Sequence, residues 1–169
     1  FVVCPIKSLM YDQQLNMEAA YVTNTSSLTS DLSPKDKEQV QAEFAAGKYL
    51  FIWISPERFQ ITTFREYLSS VAARFSIAHA VIDEVHCMSE WGHDFRTSYL
   101  NLTRTIQKFC PGSKFVGLTA TASINVLKDI RVEFARNKLA LNDQNIKSLL
   151  DYSRKELEFE VIKTNDKFK

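Results

Sequence analysis

Ala80-Val81-Ile82-Asp83-Glu84-Val85-His86 is the stretch that decides how this chain is read. Three apolar residues of the buried-strand type run directly into two carboxylates. In open parallel sheets, ligands bind beyond the C-terminal ends of the strands. An acid placed there can hold a hydrated Mg2+ on a nucleotide, and a second acid beside it can position an attacking water. The same spacing also reads as two solvated acids in a turn, and the residues alone leave both readings open.

On either side of this stretch, the run Ser76 to Ile82 has counterparts in Phe1 to Ile6, Tyr49 to Ile54 and Lys114 to Leu118, with Ala20 to Thr23 as a fifth candidate. Runs apolar on both faces predict parallel strands covered on both sides. Helix signals lie between them. Ser33-Pro34-Lys35-Asp36 offers a capping serine, a proline at the first helical position and an acid three residues after the cap. Val40 and Phe44 follow at helical spacing, and Gly47 closes the helix. Phe64, Leu68, Val71 and Phe75 share one helical face, as do Tyr99, Leu102, Ile106 and Phe109, and then Val126, Ile130 and Phe134. Strand and helix in alternation predict a three-layer α/β domain with a mostly parallel sheet. Beyond about Asn137 the pattern weakens, until Leu157 to Ile162 alternates like a half-buried strand.

The composition suits a chain with a real core: 169 residues, 45 % apolar and 24 % charged. The net charge of +1 means that any surface for nucleic acid is a local patch. Cys4, Cys87 and Cys110 are too few and too scattered for a disulfide framework. No apolar run is long enough to span a bilayer, and the opening Phe1-Val2-Val3-Cys4 reads as the inside of a strand, as expected of a piece of a longer protein.

After the acids comes Cys87-Met88-Ser89-Glu90-Trp91-Gly92-His93-Asp94-Phe95-Arg96. Trp91 and Phe95 can stack on unpaired bases while Arg96 meets a phosphate; equally, both rings can be core anchors and Arg96 an ion-pair partner. Thr119-Ala120-Thr121-Ala122-Ser123 closes another strand with small hydroxyl residues, suited either to a phosphate or to a helix N-cap. Gly112 and Gly117 have the outer spacing of a phosphate loop, but Leu118 follows where lysine is needed, so these residues contain no Walker A loop. The three histidines have no established zinc spacing.

The stretch from Ile82 through Arg96 resembles the DEAH motif and aromatic-rich loop of the RecQ-family DNA helicases, members of superfamily 2. Gly117 to Ala122 resembles that family's motif III. Val3-Cys4-Pro5-Ile6-Lys7-Ser8-Leu9-Met10 with Asp12-Gln13 resembles motif Ia, and Ser55-Pro56-Glu57-Arg58 resembles motif Ib. The likeness covers Phe1 to about Ala135. Two departures stand out: Val85 replaces the usual alanine, and Thr97 the usual proline.

The resemblance implies an ATP-dependent 3′-to-5′ DNA helicase of repair or recombination, working inside the cell, in the cytoplasm, nucleoid or nucleus, with no membrane. It implies a RecA-like fold of the P-loop type, incomplete at its N-terminus. Residues 1–136 would be part of the first RecA-like domain, and 137–169 a linker and the possible start of the second. The Walker A segment is expected upstream and the second motor domain downstream. ATP and Mg2+ are the implied cofactors; single-stranded and duplex DNA are the implied partners. Asp83 would hold Mg2+ through water and Glu84 would act as base. His86 would link the nucleotide site to DNA-sensing parts, and Thr119 and Thr121 would border the nucleotide. Lys7, Ser8, Ser55, Pro56, Glu57, Trp91, His93, Phe95 and Arg96 would contact DNA. The competing expectation is a helicase-like scaffold that binds DNA but has lost catalysis.

Overall fold

The computed structural model describes residues 1–91, 94–148 and 160. Five strands, β1 (Val2–Val3), β2 (Thr25–Leu28), β3 (Phe51–Ile54), β4 (His79–Ile82) and β5 (Lys114–Gly117), form one sheet in the order β2-β3-β1-β4-β5. Every pairing is parallel. Five α-helices connect them or follow: α1 (Lys7–Ala19), α2 (Pro34–Ala45), α3 (Thr62–Arg74), α4 (Leu102–Phe109) and α5 (Ile124–Arg136).

Alternation along the strands divides the interior between the two faces of the sheet. Val3, Ile52, Ile54, Ala80 and Ile82 join the larger cluster, with Phe44 of α2, Leu68 of α3, Ile106 of α4 and Ile130 of α5. Their neighbours Val2 and Trp53 form a smaller cluster with Met10 of α1, against which Val81 packs. Among the described residues, one face of the sheet is thus covered by four helices and the other by α1 alone.

The register aligns the strand ends. Leu28 lies beside Ile54, Ile54 beside Val3, Val3 beside Ile82 and Ile82 beside Gly117. The last residues of all five strands therefore stand in one row. The segment that leaves each strand is delivered to the same edge.

Local signals act as their chemistry dictates. Ser33 caps α2 by accepting the Asp36 N–H at 3.2 Å, with Pro34 at the first helical position. Gly47 follows that helix with φ of +70°, a left-handed turn that glycine adopts without cost. Ser123 caps α5 by accepting the Val126 N–H at 3.4 Å.

Three expectations need correction, and one helix carries no periodic signal. The edge strand is Thr25–Leu28, not Ala20 to Thr23; Tyr21 is 94 % exposed in a turn with φ of +63°. Helix α1 follows β1 although no periodic apolar stripe announces it. The face Tyr99, Leu102, Ile106, Phe109 belongs to two elements, because Tyr99 sits in a separate 3-10 turn, Thr97–Tyr99. β5 is not covered on both sides: it is an edge strand, with Val116 38 % and Leu118 49 % exposed. The alternating stretch Leu157 to Ile162 lies outside the described residues, Glu160 apart.

Candidate nucleotide and DNA site

Asp83 and Glu84 leave the end of β4 at the common edge. The Asp83 N–H still bonds to the Val3 carbonyl at 2.9 Å, as the ladder requires. Glu84 then turns the chain with φ of +50°, a left-handed conformation that a non-glycine residue adopts at some cost. The turn is held from both sides. The Glu84 N–H donates to Asp83 Oδ1 at 3.0 Å, and the Val85 N–H donates to the Leu118 carbonyl beyond β5 at 2.9 Å. The chain continues as a buried 3-10 turn, Val85–Met88.

The Asp83 carboxylate carries one donor on each oxygen: the Glu84 amide on Oδ1, and the Gln13 side-chain amide on Oδ2 at 3.3 Å. Gln13 in turn accepts the Trp53 indole N–H at 2.6 Å. The Tyr99 hydroxyl donates to the Asp83 backbone carbonyl at 2.8 Å, so the acid is gripped from α1 and from the Thr97–Tyr99 turn. Tyr99 is wholly buried, and that burial pushes its hydroxyl pKa far up, which keeps it a donor.

His86 Nδ1 faces two oxygens, Glu84 Oε2 at 3.1 Å and Thr119 Oγ1 at 2.8 Å. The Thr119 hydroxyl donates its own proton to the Thr121 carbonyl at 3.0 Å and also accepts the Thr121 N–H at 3.1 Å. Both neighbours of Nδ1 are thus acceptors, which places the imidazole proton on Nδ1. His86 thereby ties the second acid to the segment after β5.

The loop after the acids is anchored at several points. The Ser89 hydroxyl, buried, donates to Asp129 of α5 at 2.6 Å and accepts the Trp91 N–H at 3.1 Å. The Arg96 N–H donates to the Cys87 carbonyl, and its guanidinium reaches the Pro5 carbonyl at 3.3 Å and Asp94 at 2.7 Å. The Asp94 carboxylate beside it raises the Arg96 pKa further. Trp91 is 75 % exposed, which removes it from the core, and Phe95 is half-buried. His93 lies outside the described residues, with Gly92.

The other candidates divide by exposure. Lys7 and Ser8 are exposed at the start of α1, and Lys7 pairs with Asp31 at 2.6 Å, an exposed contact of little energetic weight. At the Ser55-Pro56-Glu57 turn only Glu57 is exposed; Ser55 and Pro56 are buried, so their side chains present no surface to a ligand. Thr119 is half-buried and Thr121 exposed. Gln13 and Tyr99 stand in stretches that the resemblance covers, Gln13 within motif Ia, but nothing in the sequence points either at Asp83, and Asp129 carries no signal at all. A glutamine on a helix, a tyrosine beside an apolar stripe and an acid on a polar helix face each read as ordinary.

Among the described residues no three His, Cys, Asp or Glu side chains cluster to cage a metal. One half-buried carboxylate with free lone pairs, oriented by two N–H donors, suits Mg2+, which keeps most of its water and binds through one or two carboxylates plus phosphate. The thiols are not nucleophiles here: burial pushes Cys4 and Cys87 to about 11 and Cys110 to about 12.

Comparison with known proteins places this geometry. The DEAD/DEAH box helicase family model matches residues 1–130. A RecQ-like DNA helicase of Caenorhabditis elegans, blm-1, is 31 % identical over 165 residues, covering 95 % of this chain and 16 % of that protein. The probable ATP-dependent DNA helicase RecS of Bacillus subtilis is 36 % identical over 129 residues, 76 % of this chain and 25 % of RecS. The chain thus spans a quarter or less of the length of these relatives. The Hef helicase domain of Pyrococcus furiosus shares the fold, with a TM-score of 0.51 at 17 % identity over 79 % of this chain and 27 % of that one. The parallel sheet, the acids at its edge and the matched residues lead to one conclusion: the chain belongs to the DEAD/DEAH box helicases.

Proposed function

We propose that this chain is part of the first motor domain of an ATP-dependent 3′-to-5′ DNA helicase, the part that senses single-stranded DNA and activates water for ATP hydrolysis. The observation that carries this reading is the seating of Asp83 and Glu84 between two coupling elements. On one side His86 joins Glu84 to Thr119. On the other, Tyr99 fastens the Asp83 carbonyl to the exit of the loop that exposes Trp91.

Bound Mg2+ and ATP supply a polarised γ-phosphoryl group and neutralise its charge in transfer. Asp83 would hold hydrated Mg2+, its carboxylate oriented by Gln13 and the Glu84 amide. Glu84 takes a proton from the attacking water, and the His86 Nδ1–H keeps its carboxylate aimed. Thr119 and Thr121 carry movement at the nucleotide to α5. Trp91 and Phe95 stack on unpaired bases, which suits a motor that reads no sequence. Lys7, Ser8 and the exposed Glu57 border the backbone path, and Arg96 meets a phosphate by exchanging Asp94 for it.

The phosphate-cradling loop and the second motor domain come from other parts of the protein on this reading. Among the described residues no strand pairs with the outer side of β5, which supports this reading, since a further strand can pair there. Residues 137–169 then lead toward the second domain. The protein works where DNA is handled.

Glu84→Gln in the intact protein tests the assignment, because it preserves size and hydrogen bonding while removing the base. Turnover is expected to fall at least a hundredfold, in line with general-base contributions of about 10²–10⁴. ATP and single-strand binding, measured by fluorescence anisotropy, are expected to stay near the unmutated values. Hydrolysis at the normal rate overturns the role given to Glu84. An unmutated protein that binds DNA but hydrolyses no ATP supports the scaffold reading instead.

A further inference from the structure

We propose that Gln13 is the positioning residue of the metal-binding acid. It fixes the Asp83 carboxylate for hydrated Mg2+ and makes helix α1 mechanically continuous with the nucleotide site. The inference rests on the reading of Asp83 given above and adds a residue to it.

The indole N–H of Trp53 can only donate, and it lies 2.6 Å from Gln13 Oε1. That contact fixes which end of the amide is oxygen. The NH2 end is therefore turned to Asp83 Oδ2, at 3.3 Å, and cannot flip without setting two oxygens against each other. Trp53 is 1 % exposed, in the middle of β3, so the amide is referenced to the rigid sheet. The donor is also neutral. It restrains the carboxylate without neutralising it, where a lysine or arginine would compete with the cation for its charge. One oxygen of Asp83 is thus steered by its own chain and the other by α1.

The position of Gln13 on α1 gives the contact a second consequence. Lys7 and Ser8 occupy the first turn of the same helix and are exposed. A shift or rotation of α1 by a ligand at that end moves the amide at Asp83 directly, with no intervening loop.

The test uses Gln13→Met in the intact protein, which keeps length and removes both polar groups. Two quantities are read: the Mg2+ concentration giving half-maximal ATPase, and the affinity for Mn2+ with ADP by electron paramagnetic resonance, which needs no turnover. Both are expected to weaken about three- to tenfold, the range that the net contribution of one ordinary hydrogen bond supports. Trp53→Phe leaves Gln13 in place but frees its amide to flip, and is expected to weaken both in the same direction by less. Thermal melting without metal is measured on each variant. A lowered melting temperature with unchanged metal dependence assigns Gln13 a purely structural role and overturns the proposal. Asp83→Asn is the control: if it too leaves metal dependence unchanged, the reading of Asp83 fails; if it alone abolishes metal binding while Gln13→Met matches wild type, only the inference about Gln13 fails.

Discussion

Val85 stands where the resembling family usually has alanine, and its two γ-carbons would lie 3.3 Å from a β-carbon placed on Gly117. The extra bulk of the valine is accommodated because the neighbouring strand ends in a residue without a side chain. Val85 cannot retreat, since its N–H is bonded to the Leu118 carbonyl and its side chain is buried. Gly117→Ala is therefore expected to cost about 1–3 kcal/mol of unfolding free energy, the usual penalty of overpacking. Val85→Ala alone loses buried surface. The double variant is expected to be more stable than the two single losses added together, a coupling that urea unfolding of the four proteins measures. Simple additivity means that the two side chains do not meet. Among single residues the sequence pointed to Asp83 and Glu84 as candidate acids, because they follow a buried strand directly and ligands bind beyond strand C-termini in open parallel sheets. It put Gln13 in the stretch resembling motif Ia without showing its contact with Asp83, and it did not show the contacts of Tyr99 or Asp129, which arise only in the tertiary structure. Nor did it reveal that Ser55 and Pro56 are buried in the turn whose exposed member is Glu57.

Among the elements, the strands that a reader finds most easily are those buried on both faces. β1, β3 and β4 are continuous apolar runs for that reason, and their boundaries fall within a few residues of expectation. β2 escapes because Thr25-Ser26-Ser27-Leu28 holds a single large apolar residue, sufficient for an edge strand. α1 escapes because it buries only Met10 fully, covering a small cluster rather than a full face. The loop of residues 89–96 was open to two readings, and exposure separates them at Trp91, where a core anchor would be buried. Trp91→Ala is accordingly expected to shift stability by no more than about 0.5 kcal/mol. In the intact protein it is expected to abolish the DNA-stimulated increment of ATP hydrolysis, and unwinding with it. Melting temperature and DNA-stimulated ATPase measured on one preparation decide the matter; a destabilised protein that still responds to DNA restores the core-anchor reading.

Across the full sheet, the row of strand ends collects motifs that are far apart in sequence: Pro5 to Ser8, Ser55 to Glu57, Asp83 to His86 and Leu118 to Thr121. The fold class follows from alternating strands and helices, but the common edge follows only from the register. The chain contains the acids without a G-x-x-x-x-G-K-[ST] loop. In phosphoryl transfer, positioning of the phosphates supplies most of the catalysis. Residues 1–169 alone are therefore expected to show no DNA-stimulated ATPase above background in a coupled phosphate-release assay. Steady hydrolysis abolished by Glu84→Gln would overturn this.

The strand order also bears on how the sheet grows during synthesis. Of the five described strands, a ribosome adding roughly 5–20 residues per second delivers β1, β2 and β3 before β4 and β5, and these already make the contiguous block β2-β3-β1. β4 then joins the free edge of β1, and β5 joins β4, so neither has to be inserted between strands already paired. Asp83 and Glu84 emerge with β4, but the acceptors for the Val85 N–H and for His86 Nδ1–H, on Leu118 and Thr119, arrive only behind β5. Glu84, which His86 ties to Thr119, is thus brought into alignment only once β5 has paired, whereas the partners of Asp83 on β1, α1 and the Thr97–Tyr99 turn are already made.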